Sequence, residues 1–497
     1  MSVTGPPLTA PDPRSLAAVT VALPPVRAAA GKGPAAGARE PDPLALAMAS
    51  TDGFVLLGHR GSVCGFGAAA RLVLPGGLRP TTAPAVTRWL AGVPADDPLR
   101  RPASGALAVG ALPFLPGEPA ELLVPAVTVV TTATGLRWAT IAGTEAAVDR
   151  AVAHAAPTGT LAGLLDGATL AGLLDGATLA GLLDGATLAG PVDRTALSGP
   201  VDGTAPAGPA GERAARDALP PVVVTVQSPD GPEFERRVAA ALAAVTAGRV
   251  DKVVLARQVR ATFAGAVDPV PVLRRLLAEE PTCAVFAHRR GGEVFLGASP
   301  ELLVRRRGAR VVSHPLAGTS AADDDAVAAL VASPKEQAEH RAVAAAVARR
   351  LATWCEVVDV PDAPSPVRLR GVAHLGTRVA GVLRAAPADA LTLVGALHPT
   401  PAVAGVPTDE ALALIGELEE DGRGLYAGPV GWADARGDGE WLVAIRSATV
   451  AGDRAVAYGG AGIVDGSVPE RELAETAAKL HTALGALGAD APARSPA

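Results

Sequence analysis

A perfect nine-residue repeat in the middle of the chain most constrains how it can fold. The motif LAGLLDGAT occurs three times from Leu161, and two decayed copies, LAGPVDRTA and LSGPVDGTA, keep the same period. At about 100° per residue, nine residues bring successive copies to opposite sides of a helix, and an odd period also reverses faces in a strand. Two glycines per copy weaken a helix further. The repeat therefore predicts a disordered insertion over 156–215, between two structured parts.

The composition on either side of the repeat divides the rest of the chain. Residues 1–44 are rich in Pro, Ala and Gly, and predict a disordered lead-in. Residues 45–155 contain apolar runs broken by Gly and Pro, which indicate strands and turns in an N-terminal part of the fold. Residues 216–487 carry the sharpest patterns and are predicted to form the main folded domain, and residues 488–497 a disordered tail.

Strands and helices are mixed in the 216–487 segment without regular alternation. Residues 252–263 predict a strand, and GEWLVAIRSATV with RAVAYGGAGIV predicts a hairpin. Ser333 as cap, proline at the first helical position and Glu336 closing a capping box predict a helix start, and Ser467 with Glu470 predicts a capping box for the last helix. This mixture favours an α+β fold over a doubly wound sheet.

Charge and cysteine content exclude several classes of protein. The net charge is −6 and no long basic run occurs, which disfavours nucleic acid or an anionic membrane as partner. Cys64, Cys283 and Cys355 are odd in number and far apart, so the sequence shows no disulfide framework and no zinc-binding spacing. No uncharged apolar window of about 18 residues could span a bilayer. The first residues lack a signal-peptide pattern, so the cytoplasm is the expected compartment.

Single residues with chemical potential stand in the same segment. Only four of the 44 lysine and arginine residues are lysines, and Lys252 begins an apolar strand. Arginine stays protonated, whereas a buried lysine can act as a base. Taken alone, however, Lys252 is better explained as a strand-end lysine with its amine in water. Glu301 after GASP could be a general acid or a solvated strand start. Arg446 in an apolar hairpin strand needs a partner, which a bound carboxylate would supply. His374, taken alone, suggests a structural role.

Two carboxylate pairs could form a metal site. Glu336 and Glu339 lie one helical turn apart, as do Glu472 and Glu475, and Lys479 follows Glu475 on the same helix face. Carboxylates from two helices that meet at one point would suit Mg²⁺. Each pair could instead belong to a solvated helix face.

The order of ten segments gives the chain a family resemblance. The segments are KVVLAR, FLGASPELL, PLAGT, KEQAEH, HLGT, LHPTPAVAG, LYAGPVGW, GDGEWLVAIRSA, GGAGIV and ERELAETAAKL. They resemble the chorismate-utilising enzymes, and among these the isochorismate synthases, densely over 219–485 and more loosely over 45–150. The resemblance implies two large, mostly antiparallel sheets flanked by helices. It also implies Mg²⁺-dependent conversion of chorismate to isochorismate, by addition of water at ring carbon 2 and loss of the hydroxyl at carbon 4.

The same resemblance implies roles for individual residues. Lys252 resembles the base that activates water, and Glu301 resembles the acid that protonates the leaving hydroxyl. The residues that resemble magnesium ligands are Glu339 and Glu475, with Glu336 and Glu472 in support. The residues that resemble the substrate pocket are Gly318, Thr319, His374, Ala402, Tyr426, Arg446, Gly460, Gly462 and Lys479.

Two positions narrow the implied activity. Relatives that use ammonia carry glutamine where Lys252 stands, so the resemblance implies water as nucleophile and no glutaminase subunit. Relatives that make aminodeoxychorismate carry a lysine where Ala317 stands. Salicylate synthases share the base lysine and then eliminate pyruvate, and they remain an alternative. A monomer acting on chorismate is expected, in either menaquinone or siderophore synthesis.

Overall fold

The protein is described by a computed structural model over residues 8–24, 42–155, 218–385 and 387–489. Its N-terminal elements, after a short 3-10 turn at Pro13–Ser15, are β1 (Ala17–Leu23), α1 (Pro43–Ala49), β2 (Asp52–Gly58), β3 (Gly61–Leu74), α2 (Ala83–Ala91), β4 (Ala95–Asp96), β5 (Leu107–Ala111), β6 (Ala120–Thr132), β7 (Arg137–Gly143) and α3 (Glu145–Ala155).

The second part of the chain begins with an edge strand and ends with a helix. Its elements are β8 (Val222–Ser228), α4 (Gly231–Thr246), β9 (Lys252–Phe263), α5 (Pro269–Glu279), β10 (Ala284–Arg290), β11 (Glu293–Ser299), β12 (Leu302–Arg307), β13 (Arg310–His314), β14 (Leu316–Ala321), α6 (Asp324–Ala332), α7 (Pro334–Ala352), β15 (Cys355–Asp359), β16 (Ser365–Arg368), β17 (Val372–Gly376), β18 (Val379–Leu383), α8 (Ala390–Leu397), β19 (Gly405–Val406), α9 (Thr408–Leu418), β20 (Pro429–Asp434), β21 (Gly439–Val443), β22 (Ser447–Ala451), β23 (Arg454–Ile463) and α10 (Pro469–Ala486).

Two large, mostly antiparallel sheets dominate the described residues, which confirms the predicted α+β class. The first sheet has the order β4-β1-β7-β6-β3-β2-β10-β11-β22-β23-β9-β8, with β19 also beside β9, and only β1 and β4 are parallel. The second has the order β5-β20-β21-β12-β13-β18-β15. The pair Val109↔Leu123 joins them into one continuous set of twenty strands. A separate small sheet, β14-β17-β16, borders the cavity described below.

The parts before and after the repeat share both sheets. In the first sheet β2 pairs with β10, and in the second β5 pairs with β20. The buried side chains of both parts therefore pack in common hydrophobic clusters. Neither part would keep its sheet edges covered without the other.

The prediction of disorder throughout 1–44 is wrong for residues 8–24 and 42–44, since Asp42 caps α1 and Leu44 is buried within it. Strand β1 pairs with β7 from Ala17↔Gly143 to Leu23↔Arg137. The alternating segment AAVTVAL buries Ala18 and Leu23, which the Pro- and Ala-rich composition around it concealed. At the other end Ala489 is buried, so the ordered chain extends beyond the predicted boundary at 488. The predictions for the repeat and for the remaining terminal residues lie outside the described residues.

The predicted helix starts are confirmed at one helix and wrong at the other. At α7 the Ser333 hydroxyl accepts a hydrogen bond from the Glu336 N–H at 3.3 Å, as predicted, whereas the Ser333 N–H donates to the Leu330 carbonyl at 3.3 Å instead of closing the predicted capping box with the Glu336 side chain. The N-cap of α10 is Val468 rather than Ser467, and no side chain caps it. The Ser467 hydroxyl instead accepts from the Val464 N–H at 3.2 Å. Proline at the first helical position moves the helix start one residue beyond the serine.

The predicted strand GEWLVAIRSATV is also broken. Strand β21 ends at Val443 in the second sheet, and β22 begins at Ser447 in the first sheet. Between them Arg446 adopts a φ of 55°, a left-handed conformation that is uncommon outside glycine. The chain thus crosses between sheets at Arg446. The predicted hairpin is the pair of β22 with β23.

None of the helices within the described ranges combines the length and hydropathy that a membrane span requires.

Candidate active site

All the residues singled out from the sequence line one cavity of about 130 Å³. Strands β9, β14, β17 and β23 and helices α7 and α10 contribute to its wall, together with the connections before β12, β19, β20 and β22. The predicted residues in the wall are Lys252, Glu301, Gly318, Thr319, Glu336, Glu339, His374, Ala402, Tyr426, Arg446, Gly460, Gly462, Glu472, Glu475 and Lys479.

Lys252 is the first residue of β9 and is only 7% exposed. Its Nζ donates a hydrogen bond to Glu339 Oε1 at 2.7 Å. The neighbouring strand β23 leaves space for this side chain, because a Cβ at Gly462 would lie 2.9 Å from Lys252 Cε. The alternative of a strand-end lysine with its amine in water is therefore wrong.

Glu301 lies between β11 and β12 and is 3% exposed. Its backbone N–H donates to Ser299 Oγ at 3.2 Å, which fixes the turn that GASPE encodes. Burial raises the pKa of Glu301 to about 8, although Lys252 and Lys479 pull it down. The carboxyl group therefore keeps its proton at neutral pH and can donate it.

Four carboxylates face the cavity from two helices. Burial, followed by the charges of Glu339 and Glu475, raises the pKa of Glu336. Burial and the neighbouring Glu475 raise the pKa of Glu472 to about 7. Burial would raise the pKa of Glu475 as well, but Lys479 outweighs it and the pKa is lowered. The mutual repulsion of these groups is relieved by positive charge in the cavity.

The arrangement of these carboxylates bears on metal binding. Glu339 is bonded to Lys252, and Glu475 Oε1 accepts from Lys479 at 2.6 Å. As they stand, no three metal-ligating side chains within the described ranges are close enough to hold an ion. Carboxylate oxygens are nevertheless the ligands that Mg²⁺ prefers. In this structure the negative charges of Glu339 and Glu475 are compensated by the two lysines instead.

His374 on β17 holds Arg446 at the cavity wall. Its Nδ1 lies 3.0 Å from the Gly318 carbonyl, and its Nε2 lies 2.8 Å from Arg446 Nη2. Burial and the charge of Arg446 lower the pKa of His374 to about 3, so the ring is neutral. Since a carbonyl and a guanidinium fix the two nitrogens, Nδ1–H donates and Nε2 accepts. The histidine thus has a defined task in this structure.

The remaining wall combines a cation, an aromatic stack and close backbone approaches. Lys479 Nζ donates to the Gly460 carbonyl at 2.9 Å in addition to Glu475. The Tyr426 ring stacks on Tyr458, with centroids 5.1 Å apart. Gly318 has a φ of 76°, and a Cβ there would lie 2.9 Å from Glu336 Oε2. A larger residue at 318 would therefore fill the acidic side of the cavity.

The sequence did not single out every residue in this wall. Lys335, Tyr458 and Arg423 also line the cavity. Arg423 is 5% exposed and forms an ion pair with Glu419. The only signal for this pair is a spacing of four residues, which is common on solvated helix faces.

Taken together, the cavity offers a lysine, a protonated carboxyl group, four further carboxylates and two cationic groups suited to bind anions. Such a set can carry out acid–base chemistry on a small substrate with carboxylate groups.

The chain is similar to known enzymes that act on a substrate of this kind. The profile of the chorismate binding enzyme family matches residues 210–488. A Mycobacterium tuberculosis protein called MenF is 44% identical over 289 residues, which cover 55% of this chain and 77% of that protein. The isochorismate synthase DhbC of Bacillus subtilis is 40% identical over 275 residues, 53% of this chain and 69% of that protein.

A solved structure extends the likeness in fold to most of the chain. The menaquinone-specific isochorismate synthase MenF from Escherichia coli superimposes with a TM-score of 0.68 and 24% identity, over 94% of each chain.

Proposed function

The chain belongs to the chorismate binding enzyme family, and on this premise we propose that it is an isochorismate synthase. The observation that carries the proposal is the meeting of Lys252 and Glu301 in one cavity, where burial keeps Glu301 protonated. The curated relatives bear isochorismate synthase names.

The two residues supply opposite halves of one reaction. As the proposed base, Lys252 must first lose the proton of its ion pair with Glu339, and its neutral amine then takes a proton from water as the water oxygen bonds to ring carbon 2 of chorismate. Glu301 gives its proton to the hydroxyl that leaves carbon 4 as the ring double bonds shift. One water enters and one leaves, so the product is an isomer of the substrate. The buried positions of both side chains keep bulk water from exchanging these protons.

The cationic groups suit a substrate with two carboxylates. We assign carboxylate binding to Arg446, which His374 orients, and to Lys479, which the Gly460 carbonyl and Glu475 hold. Thr319, Ala402 and Tyr426 line the cavity between these groups. Guanidinium and ammonium groups with fixed positions favour one orientation of the ring over Lys252 and Glu301.

A magnesium ion completes the proposed site. Glu339 and Glu475 would hold it directly, with Glu336 and Glu472 in support, since all four face the cavity. When bound, the ion supplies positive charge for a ring carboxylate of the substrate.

The test is to identify the product. Purified full-length protein is incubated with chorismate and magnesium in water enriched in ¹⁸O, and Lys252→Ala protein from the same preparation controls for host enzymes. We expect isochorismate with label at carbon 2. Salicylate and pyruvate as main products would assign the chain to the salicylate synthases. Unchanged chorismate would reject the proposed function.

A further inference from the structure

Strand β9, which carries Lys252, lacks a strand partner over part of one edge. On its other edge β9 pairs with β23 from Val253 to Thr262. On the edge of β9 opposite β23, the short strand β19 pairs only with Lys252 and Val253, and β8 begins its pairing at Gln258. The Val254 N–H bonds to the Ala404 carbonyl at 2.8 Å. In the part of the chain that the structure describes, no strand then reaches the Val254 carbonyl or the Ala256 N–H.

The buried pair of Glu419 and Arg423 meets these two backbone groups. Arg423 Nη2 donates to the Val254 carbonyl at 2.7 Å, and Glu419 Oε1 accepts from the Ala256 N–H at 2.8 Å. The two side chains are joined to each other, with Arg423 Nε 2.8 Å from Glu419 Oε2. One ion pair thus offers a donor and an acceptor at the spacing of a neighbouring strand. Without it, two buried backbone groups would lack partners.

The same guanidinium also holds the connection that carries Ala402. Arg423 Nη1 donates to the Val403 carbonyl at 2.8 Å, and its charge lies over the Phe114 ring, 4.3 Å from the centroid. Four of the five N–H donors of the guanidinium are therefore used within the protein. Although Arg423 lines the cavity, this saturation leaves it poorly suited to bind a substrate carboxylate.

We propose that Glu419 and Arg423 are positioning residues for Lys252, which fix β9 and the Ala402 connection in place of a β-strand. The inference rests on the proposed function, in which Lys252 is the base. Val254 follows Lys252 by two residues and lines the same cavity, so a shift at its carbonyl moves the lysine. A displacement of 1 Å in a reacting group can cost about a hundred-fold in rate.

The chain offers a matched control for a purely structural role. Arg306 and Asp438 form another buried ion pair, with Nη1 and Oδ1 3.0 Å apart, and Asp438 accepts from the Gly308 N–H at 2.7 Å. This pair also clamps backbone, but neither residue lines the cavity.

The experiment compares Arg423→Lys with Arg306→Lys. Lysine keeps the charge but lacks the planar fork that reaches several acceptors. We expect Arg423→Lys to lower kcat by about ten- to a hundred-fold with KM for chorismate changed less than about threefold. Arg306→Lys should lower the melting temperature by a similar amount and leave kcat near the wild-type value. Equal kcat losses in the two variants, or a change confined to KM, would overturn the proposal.

A cycle of Arg423→Lys, Lys252→Ala and the double variant tests the positioning role of Arg423 separately from the base role of Lys252. If Arg423 acts through Lys252, then Arg423→Lys should add less than about twofold to the kcat loss of Lys252→Ala. Full additivity would refute the positioning role. Wild-type turnover in Lys252→Ala would instead refute the proposed base.

Amide hydrogen exchange on the wild-type protein tests the contact of Glu419 with β9 even if Arg423→Lys does not fold. The Ala256 N–H should exchange as slowly as the paired residues of β9. Exchange as fast as in exposed loops would contradict the proposal.

Discussion

Lys252 Nζ lies 2.7 Å from Glu339 Oε1, so the proposed base and a proposed metal ligand form an ion pair across 87 residues of sequence. Lys479 and Glu475 repeat this relationship at 2.6 Å. A cation that binds these two carboxylates must therefore compete with two lysines. This competition should weaken the binding of a divalent cation.

Replacement of Lys252 by Met should tighten the binding of a divalent cation. A hydrogen bond between charged groups contributes on the order of 1.5–3 kcal/mol, and its loss should lower the dissociation constant of the cation by roughly ten- to a hundred-fold. Calorimetric titration with Mn²⁺ measures this without turnover. Lys335→Met is the control, since Lys335 lines the cavity and its charge acts on Glu336 and Glu472, the two residues proposed only to support the ion. Unchanged affinity in Lys252→Met would show that Glu339 is not a ligand.

The base role of Lys252 predicts a large loss of turnover on substitution. General acid–base groups contribute roughly a hundred- to ten-thousand-fold, so Lys252→Ala should lose at least about a hundred-fold in kcat. Chorismate should still bind, because Arg446 and Lys479 are intact. Lys252→Arg should not restore turnover, since a guanidinium does not give up its charge. Near-normal kcat in Lys252→Arg would mean that position 252 supplies only a fixed positive charge.

The raised pKa of Glu301 predicts how activity depends on pH. As a proton donor with a pKa of about 8, Glu301 should support a kcat/KM that falls as the pH rises through this value. Glu301→Gln should lose at least about a hundred-fold in kcat. A profile that stays flat from pH 7 to pH 9 would argue against Glu301 as the acid.

The same pKa predicts how stability depends on pH. Because folding raises the pKa of Glu301 from 4.5 to about 8, its stabilising contribution is complete below about 4.5 and is lost as pH rises through about 8. Glutamine does not titrate. The melting temperature of Glu301→Gln relative to wild type should therefore increase between these two pH values, as scanning calorimetry would measure. A difference that does not vary with pH would indicate that Glu301 is not buried as a neutral group.

His374→Phe should raise KM for chorismate while chemistry at the ring is affected less. The change removes the acceptor that fixes Arg446 and leaves a buried donor unpaired, a loss of about 1–3 kcal/mol or roughly five- to a hundred-fold. The control is His288→Phe, since His288 accepts from the Ala111 N–H at 3.3 Å and lies outside the cavity wall. Similar KM values in the two variants would contradict the orienting role.

The nonapeptide repeat is predicted to be dispensable. It lies outside the described residues, and its sequence has no apolar stripe that could join a core. Long connections also cost little loop entropy. Deletion of residues 161–205 should leave kcat and the melting temperature nearly unchanged. Loss of either, measured against the full chain, would assign the repeat a structural task.

Local patterns in the sequence predicted most elements and the chemical groups of the site. Strand β9 begins and ends where the apolar run does, and α7 begins at its predicted cap. These features depend on neighbouring residues, so periodicity and capping reveal them. The order of the segments further predicted that Lys252 and Glu301 would share a site.

What only the tertiary structure decided are relationships between distant segments. Strand β1 exists because β7, more than a hundred residues away, supplies its hydrogen bonds. Arg446 reaches the cavity because the chain changes sheets beside it, and no local pattern marks that crossing.

Sequence by itself determined which chemical groups this protein has, and tertiary structure decided which of them touch. From their spacing in the sequence, Glu419 and Arg423 resemble an ion pair on a solvated helix face. In the structure they are buried beside β9, where they bond to its backbone. The contact of Lys479 with Glu475 follows from their spacing of four residues on one helix. The contact of Lys252 with Glu339 joins distant segments and arises only from the fold. The physical reason is that hydrogen bonds and charges act over a few ångströms in space, whereas sequence patterns reveal only neighbours along the chain.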